Sequence, residues 1–249
     1  MKYERFPHFN RWLTFESEAD YVKYTRRRGD HEEPSWQRSV AKHLAEFHGL
    51  IDSRALEPKI HEYLEHHPYL LPGFGDLHHG PYEGIVATKL PLGRTFVTDF
   101  AYVACNSQTL YFTCVEIESA RKRLFRADGK LHRDYLDARQ QIADWLLWAK
   151  QHARDAISCW GALFNGRPAD WYDVQFRGFL VFGRRSEINT RVKQERWSAE
   201  AASINPALQT MTYDRLLQRK GYVSYDVDND KLAVCSFRDR RFIVKRVLT

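Results

Sequence analysis

The chain has 249 residues, 43% of them hydrophobic and 14% aromatic, enough apolar material for one substantial core with an appendage. No stretch approaches the apolar run that a membrane span needs, and the charged start Met1-Lys2-Tyr3-Glu4-Arg5 lacks a secretory core, so a cytoplasmic protein with no membrane partner is expected. The net charge of +6 permits a polyanionic partner, and four cysteines (Cys105, Cys114, Cys159, Cys235) without CxxC spacing read as reduced thiols.

Residues 1–53 read as an N-terminal extension with a regulatory or oligomerising role. They hold aromatic, extended pieces over 6–15, a basic run Arg26-Arg27-Arg28 before Gly29-Asp30, and an amphipathic helix over 35–48. A second helix is expected over 56–67, with Ile60, Tyr63 and Leu64 on its apolar side and Pro68 stopping it. Glu57 falls at the edge of that stripe and Glu62 faces solvent. A Gly/Pro/His-rich loop over 72–84 precedes strands at 85–90, 95–104 and 109–118, with turn signals at Pro91-Leu92-Gly93 and Asn106-Ser107. The last two strands read as an antiparallel hairpin.

The longest helix is expected over 134–152, with a buried stripe of Ala138, Ile142, Trp145, Leu146 and Ala149 and with Gln141 on its flank. A loop at 165–168 leads to a core strand at 174–183. A charged helix at 188–202, a short strand at 209–212 and a helix from Tyr213 to Gly221 follow. The tail, 222–249, alternates like a small β-meander with a turn at 228–230.

The informative constellation lies in the hairpin. Residues two apart on a strand share a face, so Glu116 and Glu118 project together, and Asp99 shares a face with Val97, Ala101 and Val103. A carboxylate on an apolar face is costly without compensation. Three such groups from adjacent strands suit a hard divalent cation, although each alone also reads as a solvated edge residue or an ion-pair partner. The cluster Arg121-Lys122-Arg123 starts three residues after Glu118, and a phosphodiester backbone would need positive charge there. Other motifs fall away. HExxH fails because Glu65 stands where the second histidine belongs, and His78-His79 has no third ligand nearby.

The order of helix with Glu57, strand with Asp99, strand with Glu116 and Glu118, helix with Gln141 and a further strand resembles the PD-(D/E)xK restriction-endonuclease-like core, an α/β fold with a mixed central sheet flanked by helices. More closely, residues from about 56 to 217 resemble the Shedu family of prokaryotic anti-phage defence proteins. The resemblance rests on Ile60-His61-Glu62-Tyr63-Leu64-Glu65-His66-His67-Pro68, Thr98-Asp99-Phe100, Val115-Glu116-Ile117-Glu118, Gln141-Ile142-Ala143-Asp144-Trp145, Phe179-Leu180-Val181-Phe182-Gly183-Arg184 and Thr212-Tyr213-Asp214-Arg215-Leu216-Leu217. It implies a nuclease domain over 54–249, with a β-rich tail, that cuts or nicks DNA as a homo-oligomer.

In that reading Asp99 and Glu116 hold one or two Mg²⁺ ions, with Mn²⁺ as a substitute, to polarise the scissile phosphate. Glu57 adds an outer contact. Gln141 orients water or phosphate, or else is a helix glutamine bonded to backbone. Arg121, Lys122, Arg123 and Lys130 follow the DNA. The family motif places Lys where this chain has Glu118. Glu118 then acts as a proton acceptor or second-metal ligand, with Lys122 or Arg121 supplying the positive charge. The alternative is a catalytically silent DNA-binding or DNA-sensing module.

Overall fold

A computed structural model of the chain describes residues 14–15, 34–73, 81–105, 108–161, 173–203, 206–218, 231–237 and 241–246. The elements in order are β1 (Thr14–Phe15), α1 (Pro34–Asp52), α2 (Glu57–His66), a 3-10 turn (Pro68–Leu70), β2 (Pro81–Thr88), β3 (Pro91–Leu92), β4 (Phe96–Val97), β5 (Phe100–Cys105), β6 (Thr109–Ile117), α3 (Arg133–Gln151), α4 (Ala153–Gly161), β7 (Asp173–Val181), a second 3-10 turn (Arg185–Glu187), α5 (Arg191–Ser203), β8 (Leu208–Met211), α6 (Tyr213–Leu217), β9 (Lys231–Ser236) and β10 (Arg241–Arg246). The expected succession of helix, three strands, helix and strand holds from α2 to β7, with the β3–β4 ribbon inserted. The expected turn at 228–230, the loop at 165–168, the pair His78-His79 and the basic run at 26–28 lie outside the described residues.

Eight strands form one mixed sheet in the order β1-β10-β9-β2-β5-β6-β7-β8. The centre is antiparallel: β5 pairs with β2 and with β6. From β6 outward the pairing is parallel, through β7 to β8, and helices α3 and α5 serve as the crossovers. The tail corrects the expectation of a separate meander. β9 lies parallel to β2 and β10 antiparallel to β9, so both extend the main sheet. Local alternation cannot distinguish a free meander from strands that join a distant edge.

Strand parity divides the core in two. On one face Ala101, Val103, Phe112, Cys114 and Leu180 pack with Tyr135, Ala138, Ile142, Trp145 and Leu146 of α3. On the other, Phe100, Tyr102, Val115, Ile117, Phe179 and Val181 pack with Phe47 and Ile51 of α1, Ile60 and Leu64 of α2, and Tyr213 and Leu216 of α6. Helix α3 begins where the His132 ring accepts a bond from the Asp134 N–H. Asp134 in its first turn and Lys150 in its last complement the helix dipole.

One contact sets the height of α3 above the sheet. A Cβ at Gly178 in β7 would lie 2.3 Å from Ile142 Cγ2, so only glycine lets the helix approach this closely. Gly178 stands opposite Cys114, two residues before Glu116 on the same face. That approach brings Gln141 down to the sheet.

Candidate active site

The expected hairpin is present, and its register pairs Phe100 with Val115 and Ala101 with Cys114. Continued by one step, that register sets Asp99 opposite Glu116, on the face covered by α3. Asp99 does not lie within a strand, however. The expected strand at 95–104 breaks after Val97, whose ribbon is separate and whose side chain is half exposed. Thr98 N–H donates to the Leu90 carbonyl and Lys89 N–H to the Asp99 carbonyl, which turns the chain into β5 and ends the parity between Val97 and Asp99.

Both acids are nearly inaccessible, Asp99 at 4% and Glu116 at 9% exposed. Asp99 Oδ2 accepts from the Ile117 N–H at 2.9 Å, and Oδ1 is paired with the Lys89 ammonium. Gln141 Nε2 donates to Glu116 Oε1 at 3.0 Å, so the glutamine bonds to the acid and not to backbone. Burial first, then the Asp99 charge, the hydrogen bond to Asp99 and the Glu118 charge push the Glu116 carboxyl up to about 10. At neutral pH the Glu116 carboxyl is therefore held in its protonated form beside Asp99.

Glu118 stands one residue beyond β6. Its N–H donates to the Val181 carbonyl and its carbonyl accepts from Tyr213 Oη at 2.5 Å, so its backbone is fixed. Its side chain is paired with Lys122 at 2.6 Å. Glu118 still lies within electrostatic reach of Glu116 and Glu57, whose carboxyls its charge raises. Among the described residues no trio of ligand atoms drawn from Asp99, Glu116, Glu118 and Glu57 lies within 4.8 Å. Asp99 and Glu116 form the close pair, and the Glu118 carboxylate beside them is compensated by Lys122.

Glu57, at the start of α2, is half-buried. Burial, followed by the charges of Asp99 and Glu118, raises its carboxyl above the ordinary range. It lines a cavity of about 300 Å³ together with His61, Glu62, Glu65 and Lys89. Two of these residues escaped sequence reasoning. Lys89 sits at φ 52°, a left-handed backbone uncommon for a side-chain-bearing residue, at the end of β2, from where its ammonium meets Asp99. The His61 ring stacks on Phe100 with centroids 4.4 Å apart, and its Nε2 is 3.3 Å from the Asp99 carbonyl. Desolvation lowers its pKa, so the ring is neutral at pH 7. A Thr-Lys-Leu triplet ending a strand carried the only hint of Lys89, and periodicity gave no reason to select it.

The expected basic loop forms one wall of a second cavity, about 420 Å³, lined by Arg54, Arg121, Arg123, Arg126, Arg184 and Lys193, with Glu187 the one acid among its described residues. Glu187 is occupied by the Leu124 N–H. Arg121 Nε donates to the Arg54 carbonyl, whereas Lys122 is committed to Glu118. Lys130, also expected along this path, is instead exposed beside Asp128, 3.9 Å away, and does not line the cavity.

A mixed α/β sheet flanked by helices, with a buried acid pair beside cationic loops, is thus the class of protein defined by the geometry. The chain belongs to the Shedu family: the family model described as "Shedu protein SduA, C-terminal" matches residues 54–217. That span runs from the loop before α2 to the end of α6 and contains Glu57, Asp99, Glu116 and Glu118. No curated protein matches the chain. Among the described residues no helix is long and apolar enough to cross a membrane.

Proposed function

We propose that this chain is a Mg²⁺-dependent DNA endonuclease or nickase with a PD-(D/E)xK-like core, acting in prokaryotic anti-phage defence. Family membership supports the defence role. The observation that carries the chemistry is the buried Asp99–Glu116 pair, held by the Ile117 N–H and the Gln141 amide. A buried carboxyl held protonated beside a second acid is poised to exchange its proton for a cation. Their oxygens are hard donors, and Mg²⁺ needs only one or two protein carboxylates when substrate phosphates complete its shell.

Asp99 and Glu116 would hold the ion, with Mn²⁺ an acceptable substitute and Glu57 in an outer position. The ion supplies Lewis acidity and charge neutralisation at the phosphodiester. The chain's own residues do the rest. Gln141 fixes the orientation of Glu116. Lys89 takes the role left open by glutamate at position 118, presenting a cation from the end of β2. Glu118, anchored by Tyr213 and paired with Lys122, accepts a proton at the rim and holds that ammonium towards the substrate. Arg121 and Arg123 meet the DNA backbone along the basic cavity. Residues 1–53 act as a regulatory or oligomerising extension in a homo-oligomer.

One observation favours a second reading, a silent DNA-sensing module: Lys89 and Lys122 already neutralise Asp99 and Glu118 without any ion. Assays on linear, nicked and circular DNA with Mg²⁺, Mn²⁺ or EDTA separate the two. The enzyme cuts only with metal; the sensor binds DNA equally and never cuts.

A further inference from the structure

Away from the acid pair, a second cluster has the composition of a metal site. His43 lies on α1, Glu46 one turn later on the same helix face, and His67 just after α2. One ring nitrogen from each histidine and one Glu46 oxygen all lie within 4.8 Å of one another, and this is the one such trio among the described residues. The two imidazoles lie tilted by 36° to one another with centroids 4.1 Å apart. Tyr69 Oη touches His43 Nδ1 and lies 3.5 Å from His67 Nδ1, so a single hydroxyl serves both rings. Tyr63 Oη donates to the His43 main-chain carbonyl at 2.8 Å and to Glu46 Oε2 at 3.2 Å, so it orients the Glu46 carboxylate. Lys42 is the other charged group close to Glu46, at 3.8 Å.

We infer that His43, Glu46 and His67 form a binding site for a borderline transition-metal cation of the zinc class, which clasps α1 to the end of α2. Two imidazoles and one carboxylate are the donor set that selects Zn²⁺ or Co²⁺ over Mg²⁺. Three protein ligands leave a fourth position open to water or to the nearby Tyr69 hydroxyl. Ligands bound at about 2.0–2.2 Å stand about 3.4 Å apart in a tetrahedron. The exposed Glu46 side chain closes the remaining gap by rotating. Because α1 precedes the family-matched residues 54–217, the ion would fix a preceding helix onto the matched region and stabilise that docking independently of Mg²⁺ at the acid pair.

The test uses the full chain, stripped with EDTA and dialysed. It is titrated with Zn²⁺ by calorimetry and with Co²⁺ by visible absorption, each in excess Mg²⁺. The expected result is one equivalent of Zn²⁺ that Mg²⁺ does not displace, a four-coordinate Co²⁺ spectrum, and a higher melting midpoint with Zn²⁺. His43→Ala and His67→Ala should weaken Zn²⁺ binding at least tenfold, while Asp99→Ala/Glu116→Ala leaves it unchanged. Glu46→Gln, at an exposed position, keeps the fold as judged by circular dichroism and should also weaken binding several-fold. Absence of Zn²⁺ binding to the wild-type chain overturns the inference. So does binding that survives the histidine and Glu46 changes, or that disappears with the Asp99/Glu116 change.

Discussion

Glu116→Gln tests the proton held by the acid pair. Glutamine copies the shape of a protonated carboxyl and can still meet Gln141 and Asp99. The folded pKa of Glu116, about 10, lies above its unfolded value of 4.5. Protonated Glu116 therefore supports the fold fully below pH 4.5, and that support is lost progressively as pH rises towards 10. Through that window the wild type loses up to about 1.4 kcal/mol per pH unit relative to the variant. Between pH 5.5 and 7.5 the difference reaches roughly 2–3 kcal/mol, or roughly 5–10 °C in melting midpoint for a chain of this size. Thermal unfolding of both proteins in EDTA at pH 5.5, 6.5 and 7.5 reads this directly. The variant should gain on the wild type as pH rises. A difference in midpoint that stays constant across the three pH values would refute a buried, protonated Glu116.

Two further outcomes follow from the geometry. Gly178→Ala places a methyl group against Ile142, so stability should fall by about 1–3 kcal/mol, roughly 3–10 °C in midpoint, and any metal-dependent cleavage should fall with it as Gln141 lifts from Glu116; an unchanged midpoint would mean that α3 is not seated on Gly178. Arg121→Ala/Arg123→Ala should weaken DNA binding and lower the slope of log affinity against log salt by about two, measured by fluorescence anisotropy. A slope equal to that of the wild type would remove the basic cavity from the DNA path.

Much of the site could be read in the sequence because its central relations are local. A short turn between two apolar runs at 95–104 and 109–118 makes an antiparallel hairpin, and alternation along it puts Asp99 and Glu116 on one face. The stripe on α3 was likewise clear, and Gln141 on its flank meets Glu116. The missing parts depend on contacts between distant segments. Lys89 reaches Asp99 only because β2 pairs with β5 and the chain then turns left-handed, which no propensity announces. His61 comes from α2 on the opposite face of the sheet, and its stacking on Phe100 is a product of packing. The pairing of Glu118 with Lys122 four residues on is local, but no pattern in the sequence singled that lysine out from its basic neighbours as the partner. The tail strands looked self-contained because their pairing partner, β2, lies about 150 residues earlier in the chain.

The most direct measurement is cleavage of supercoiled and linear DNA by the purified wild-type chain in Mg²⁺, beside EDTA and beside Asp99→Ala and Glu116→Ala prepared identically. The proposed function requires nicked or linear product from the wild type with Mg²⁺ alone. It also requires loss of that product in EDTA and in both variants, whose circular dichroism spectra should match that of the wild type. A wild-type chain that binds DNA but yields no product above the EDTA control would contradict the nuclease assignment in favour of the sensing module, and cleavage that persists in both variants would show that the Asp99–Glu116 pair is not the catalytic site.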